Sequence, residues 1–354
     1  MFGHPSGRYG CTMKEFRVAI AGLGRATRNI HLPALRKIPE ATIVGVYDPI
    51  PQDCEFSTFD SLEELLATSP DVLLVATPPD AHLPTALAGI RSGAHVFCEK
   101  PLANSVAEAE EIAKAAAAAG KQVCVNSEFP FMPTHLAAAR EIGSERFGRL
   151  LFVEAHQTFV VTPDTEAGWR GQDPRRTFKE FGTHAIDVCK AFFGERPIGM
   201  TCRMPRPFAK NGPDYLNLVR LEFSGDRVAQ ITLDRLTKGR HRYLDMRLVG
   251  ERATIETSVG GSAEITVGLR TQGRRPFAEL NLHLGGVARL YNGDHSTTLA
   301  KAPLDLFPDA TARLFRAFLE AIEQGHEPPN SINEACDTLG LVYRAYAEAE
   351  GRNA

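Results

Sequence analysis

Phe16-Arg17-Val18-Ala19-Ile20-Ala21-Gly22-Leu23-Gly24 is the stretch on which the fold turns. Apolar at every position but Arg17 until the glycines, it reads as a strand buried on both faces. The glycines break it, and a helix is expected over about Arg25 to Lys37. The same alternation recurs downstream. Ile43–Tyr47, Val72–Ala76, Ala94–Cys98 and Val123–Val125 are short apolar runs separated by helix-like segments. Ser61, with Glu64 three residues on, forms a capping box, and the alanine-rich run Ala107–Ala119 stops at Gly120. Buried strands alternating with helices specify α/β architecture, a parallel doubly wound sheet spanning residues 15–127.

After residue 127 the pattern changes. A helix is expected near Thr134–Ile142, then a strand-like run over Leu150–Val161. From about Ile198 to Leu290 strands of period two dominate; Leu244, Met246 and Leu248 alternate with Asp245, Arg247 and Val249. Thr311–Gln324 and Ser331–Glu350 read as helices. Residues 128–354 therefore form an α+β domain with a large open, mainly antiparallel sheet, one face of it wet or covered by a partner.

The chain has 354 residues and a net charge of −3, which gives no general attraction to nucleic acid or to anionic membranes. No apolar run reaches membrane-spanning length. Residues 1–14 are polar and glycine-rich without the apolar core of a secretion signal, and are expected to be a disordered leader. Seven cysteines are scattered without a Cys-x-x-Cys pair, which suits reduced thiols in a cytoplasm. No His, Cys and carboxylate group has metal-ligand spacing, so no metal is expected.

Gly22-x-Gly24 between strand and helix suits a pyrophosphate: the first glycine permits the turn and the second lets the backbone approach the phosphates at a helix N-terminus. Thr27 stands where a third small residue is usual. Asp48, 24 residues after Gly24 and at the end of the second strand, is placed to accept from both ribose hydroxyls and to repel a 2′-phosphate. NAD is therefore favoured over NADP. Arg25 reads either as a pyrophosphate contact or as a solvated helix residue.

Glu99-Lys100-Pro101 follows the fourth strand, so Lys100 sits where ligands bind in open α/β sheets. A cation there can hold a substrate oxygen or pass a proton; the alternative is a solvated loop lysine. Glu180, His184 and Asp187 form a second charged cluster, and on a helix they share a face at i, i+4 and i+7. His31, His95, His135 and His156 read as packing or surface residues.

Gly22-Leu23-Gly24, Thr77-Pro78 with His82, Glu99-Lys100-Pro101 and Gly182-x-His184-x-x-Asp187 occur in this order, with Trp169-Arg170 before the last. Together they resemble the glucose-fructose oxidoreductase, inositol dehydrogenase and rhizopine-catabolism family (GFO/IDH/MocA) over about residues 15–350. The resemblance implies an N-terminal Rossmann domain that binds a nicotinamide dinucleotide, with Thr77, Pro78, His82, Glu99 and Lys100 on the cofactor side. It implies a C-terminal domain that covers the cofactor and often forms a homodimer or homotetramer. Lys100 would bind the reacting oxygen and assist proton transfer. His184 would be the general base of oxidation, and Asp187 would orient His184 or a substrate hydroxyl. Trp169, Arg170, Lys179 and Glu180 would meet the substrate, Trp169 by stacking on a sugar or by packing a hinge. The implied activity is hydride transfer to or from a sugar or cyclic polyol. An NAD-dependent glycoside hydrolase and a dinucleotide-sensing regulator are the alternatives.

Three departures surround the expected substrate pocket: Pro174-Arg175-Arg176-Thr177 replaces a glycine-rich stretch, Glu180 stands where aspartate is commoner, and Asn126-Ser127-Glu128-Phe129-Pro130 lacks the usual arginine. Arg170, Arg175, Arg176 and Lys179 read as solvated loop charges, with an acidic or phosphorylated sugar as the alternative.

Overall fold

The structure, a computed structural model, describes residues 14–161, 173–208, 212–238, 242–260, 262–270, 275–283 and 285–351. The chain divides into two compact units. One takes in the chain up to Phe131 with Gly182–Asp187 and Phe307–Ala347; the other takes in Met132–Phe181, Val188–Leu306 and the residues from Glu348 on.

The first unit is built on a five-stranded sheet in the order β2-β1-β3-β4-β5, its strands being Phe16–Ala21, Ala41–Tyr47, Val72–Val75, His95–Cys98 and Val123–Val125 for β1 to β5. All its pairings are parallel. Successive residues of a strand point to opposite faces, and both faces are covered. Ala19, Leu73, Val75, Val96 and Val125 enter one core with helices His82–Arg91 and Val106–Ala119. Val18, Ile20, Leu74, Phe97 and Cys124 enter the other with Leu32, Leu35, Phe315 and Phe318. Each large aliphatic side chain so buried contributes about 1.5–3 kcal/mol, which explains why these strands carry almost no polar residue. Phe97 makes tilted ring contacts with Phe315 at 4.7 Å and Phe318 at 5.8 Å.

The cap is half of the expected box: Glu64 N donates to Ser61 Oγ at 3.1 Å, but the Glu64 carboxylate accepts from the N–H of Asp60, one residue before the N-cap Ser61. The helix expected over Arg25–Lys37 is instead a π-helical turn, Thr27–His31, followed by one α-turn, Leu32–Leu35. Pro33 has no N–H to give to the preceding turn, which is where the regular ladder gives way.

In the second unit eight strands form one sheet in the order β15-β14-β11-β10-β6-β9-β8-β7. They are Leu150–Thr158 (β6), Gly199–Arg203 (β7), Leu216–Phe223 (β8), Arg227–Asp234 (β9), Arg242–Gly250 (β10), Thr254–Val259 (β11), Gly286–Asn292 (β14) and His295–Ala302 (β15). Ser262–Arg270 (β12) and Arg275–His283 (β13) pair separately. The large sheet is antiparallel except where β6 runs parallel to β9, from Phe152 opposite Val228 to Thr158 opposite Asp234. Period two is kept: Leu244, Met246 and Leu248 are buried, and so are Val219, Leu221 and Phe223. Helix Pro133–Glu141 packs on β11, β14 and β15. Among the described residues no helix is long and apolar enough to cross a membrane.

Candidate active site

The turn after β1 is made by main chain. Gly22 has φ +98°, and a Cβ on it would lie 2.5 Å from the Ala76 carbonyl oxygen and 2.8 Å from Thr77 N, so only glycine fits. At Gly24 a Cβ would meet nothing within 4 Å, leaving the approach to the backbone open. Thr27, fully buried, donates from Oγ1 to the Gly22 carbonyl at 2.7 Å; the third small position is thus filled by a residue that ties the turn. The Asp48 carboxylate closes the other side, accepting from Leu23 N at 2.7 Å and Ile50 N at 2.9 Å. Arg28 reaches the Leu23 carbonyl, the Gln52 side chain and the Asp53 carbonyl. Thr77 Oγ1 is buried without a hydrogen-bond partner among the described residues. An open glycine face, a strand-end carboxylate and a spare hydroxyl fit a dinucleotide.

The ends of β4 and β5 are made by side chains. Glu99 Oε1 accepts from His31 Nε2 at 2.7 Å and from Asn126 Nδ2 at 2.8 Å, and Oε2 accepts from Lys100 N at 3.1 Å. Burial alone would push this carboxyl up; the His31 hydrogen bond, the Lys100 ammonium and Asn126 outweigh it and hold Glu99 at about 2. Glu128, two residues beyond Asn126, moves the other way, to about 8, through burial first and then the charge of Glu99. Two carboxyls near one lysine are therefore split, one ionised and one carrying its proton at neutral pH. His82 spans the turns, with Nδ1 2.8 Å from the Pro101 carbonyl and Nε2 2.9 Å from the Thr77 carbonyl. Carbonyls only accept, so a neutral His82 donates to one of them and a protonated one to both.

Gly182–Asp187 belongs to this first unit. His184 lies 4% exposed against Phe129, the rings stacked with centroids 3.9 Å apart and planes at 15°. Burial, and then the Lys100 charge, hold its pKa well below the ordinary histidine value, so the ring is neutral at neutral pH. Its Nδ1 is buried without a hydrogen-bond partner among the described residues. Asp187 accepts from Ser127 Oγ and from Thr338 Oγ1, each at 2.5 Å. Glu99, Lys100, His184 and Asp187 are thus drawn together by one short segment, Asn126–Phe129.

In the second unit Lys179 pairs with Asp173 at 3.3 Å and Arg175 with Glu350 at 2.6 Å. The reading of Arg176 as a solvated loop charge is overturned: it is 3% exposed, and its guanidinium donates to Tyr215 Oη at 3.1 Å. Glu180 is buried within reach of the Arg235 charge. Phe178–Gly182 is a π-helical turn, so the regular i, i+4 spacing expected from Glu180 to His184 does not apply across it. Its start is held by Asp214, fully buried, whose carboxylate accepts the backbone N–H groups of Arg176, Thr177 and Phe178 at 2.8–3.0 Å. Trp169 and Arg170, like residues 1–13 of the expected leader, lie outside the described residues. Among the described residues no group of three or more His, Cys, Asp and Glu could hold a metal.

Sequence reasoning passed over His31, Asn126, Ser127, Glu128 and Asp214. His31 is the plainest case: taken as a packing or surface residue, it is fully buried and donates to Glu99. Its place in the π-turn gave no periodic signal. Only the cluster of polar residues just after β5 offered a hint, because such residues at the carboxyl end of a buried strand need partners.

Two family models match the chain. One, described as an oxidoreductase family with an NAD-binding Rossmann fold, covers residues 16–127. The other, the GFO/IDH/MocA C-terminal domain, covers residues 135–256. D-apiose dehydrogenase of Paraburkholderia graminis is 25% identical over 96% of this chain and 90% of that relative. Inositol 2-dehydrogenase of Rhizobium meliloti is 24% identical over 92% and 94%. Among solved structures, an aldose-aldose oxidoreductase from Caulobacter crescentus superposes with a TM-score of 0.76 at 17% identity, over 96% of this chain and 98% of that one. An oxidoreductase from Agrobacterium radiobacter in complex with NAD+, L-tartaric acid and magnesium gives 0.76 at 17%, over 95% and 97%. With residues 16–127 and 135–256, together well over half of the chain, matched by models of one family, this chain belongs to the GFO/IDH/MocA oxidoreductases.

Proposed function

We propose that this protein is an NAD-dependent dehydrogenase or ketoreductase acting on a CH–OH group of a sugar or cyclic polyol, with residues 15–127 as the dinucleotide-binding domain and 128–354 as the substrate and oligomerisation domain. The observation that carries the reading is the meeting of a neutral, buried imidazole with the charge of Lys100. Relatives named for D-apiose and inositol support the substrate class. Gly22, Gly24, Arg25, Asp48, Thr77, Pro78, His82 and Glu99 are the proposed cofactor contacts; Lys179 and Glu180, just before His184 in the chain, are proposed substrate contacts with Trp169 and Arg170. A homodimer or homotetramer in the cytoplasm is part of the same proposal, and light scattering on the purified protein checks the oligomer.

A bound nicotinamide supplies the hydride acceptor or donor. His184, uncharged, takes the hydroxyl proton in oxidation. Lys100 donates a hydrogen bond to the oxygen whose negative charge grows. Asp48 favours the unphosphorylated ribose, while Arg28, the nearby cation, is engaged with Leu23, Gln52 and Asp53.

Reduced-nicotinamide absorbance is followed with NAD+ and NADP+ across sugars, sugar acids and polyols. Turnover with NAD+ is expected, and loss of a general base or of the oxygen contact, in His184→Ala or Lys100→Ala, lowers kcat by about 10²–10⁴-fold. Near-normal rates in both variants, or a higher kcat/KM with NADP+, remove the respective part of the reading. Because His184 is held below the ordinary histidine range, oxidation should keep its rate into mildly acid solution, provided no other group limits it.

A further inference from the structure

We propose that Arg28 is a positioning residue for the dinucleotide: it ties the loop that follows β2 to the glycine turn, and so holds Asp48 where the adenosine ribose is read. The proposal rests on the role given to Asp48 above. The tie is a closed ring of contacts centred on Leu23. Leu23 N donates to Asp48 Oδ2 at 2.7 Å, and the Leu23 carbonyl accepts from Arg28 Nε at 3.1 Å. Arg28 Nη2 then reaches the far end of the loop, donating to Gln52 Oε1 at 3.0 Å and to the Asp53 carbonyl at 3.2 Å. One residue of the turn thus anchors both ends of Asp48–Asp53, all within the first unit.

Leu23 is a firm anchor, and the loop needs one. Leu23 is buried in one core with Ile20, Leu32 and Leu35, next to Gly22, whose place admits no Cβ. The loop has few means of holding itself. Pro49 and Pro51 bring no N–H, and the N–H between them, on Ile50, goes to Asp48 Oδ1 at 2.9 Å. Ile50 is 68% exposed, so apolar burial does not fix its side chain either. What reaches the far end of the loop is the guanidinium. Its donors form a rigid planar fork, so Nε serves the turn while Nη2 serves the loop; an ammonium, one point on a flexible stem, does not span the two. Arg28 also starts from the turn that it ties, since its own N–H donates to the Gly24 carbonyl at 3.1 Å. Because the tie works through Asp48, it matters for a free ribose 2′-hydroxyl and little for a 2′-phosphate, which that carboxylate repels in any case.

Fluorescence titrations with NADH and NADPH, with no substrate present, test the tie. Hydrogen bonds at the surface contribute modestly, so Kd for NADH is expected to rise about three- to tenfold in Arg28→Ala and about two- to threefold in Gln52→Ala, while Kd for NADPH stays within about twofold. Arg28→Lys should bind like the alanine variant. In an Asp48→Ala background, Arg28→Ala should add less than about twofold, because a residue that acts through Asp48 then has nothing left to place. Unchanged NADH affinity in Arg28→Ala overturns the proposal. So does an equal loss with and without Asp48, which would make Arg28 a direct contact of the nucleotide. Recovery in Arg28→Lys overturns it too, because charge rather than the fork would be the agent. Should Asp48→Ala not fold, the contrast between the two nucleotides decides, an equal loss for NADH and NADPH being the overturning result. Failure of the wild type to bind either nucleotide would sink the proposed function and this inference with it, whereas NADH binding untouched by Arg28→Ala would sink the inference alone.

Discussion

Two strand ends of the first unit solve the problem of a ligand crevice in opposite ways. After β1 the solution is main chain: glycine at φ +98°, an open glycine face, and carboxylate and hydroxyl groups spent on backbone atoms. After β4 and β5 it is side chain: a carboxylate shared by His31 and Asn126, a second carboxyl kept neutral, an imidazole laid on a phenylalanine. The first kind of site depends on the space a residue leaves. The second depends on polar groups satisfying one another where water is scarce, so removal of one member strands the rest.

The comparison is broken most severely at Glu99. Glu99→Ala leaves His31, fully buried, without its acceptor and is expected to lower stability by about 3–5 kcal/mol, read from denaturant unfolding. A loss below about 1 kcal/mol would mean the network is solvated after all. Next comes the glycine turn. Gly22→Ala combines an unfavourable φ with a backbone clash and should cost about 2–4 kcal/mol.

Glu128 sharpens the contrast through pH. Its folded pKa of about 8 lies above its ordinary value of 4.5, so between those limits the unfolded chain gives up the proton first. Wild-type stability should therefore fall as pH rises through that window, and Glu128→Gln should remove the fall, gaining about 3–4 kcal/mol on the wild type between pH 5 and pH 8. A constant difference across the window would show that Glu128 is not kept neutral. The smallest stability effect is expected at Gly24. Gly24→Ala meets no atom and should change stability by less than about 1 kcal/mol while weakening dinucleotide affinity, measured by fluorescence titration. Unchanged affinity would mean the dinucleotide does not approach that face.

The contrast also explains what could be read without coordinates. The Gly22 turn, Asp48 and the strand runs were legible because each follows from local chemistry: apolar period, turn residue, cap. The polar network was only half legible. Lys100, His184 and Asp187 stood out through the motifs of the family, but their holders did not. Ser127 and Thr338 are separated by most of the chain and both donate to Asp187. Arg176 looked like one more loop cation and is buried beside Tyr215. Asp214 carries no sequence signal, since accepting three backbone N–H groups depends on where another segment arrives.

By itself, then, the sequence determined a parallel sheet covered on both faces, the glycine turn at its first strand and the alternation of the second sheet, because apolar period and backbone sterics act over a few residues. Tertiary structure alone decided which carboxyl keeps its proton, which hydroxyls clamp Asp187 and that His31 serves Glu99. Those outcomes depend on desolvation and on contacts between distant segments, and both exist only once the chain has closed on itself.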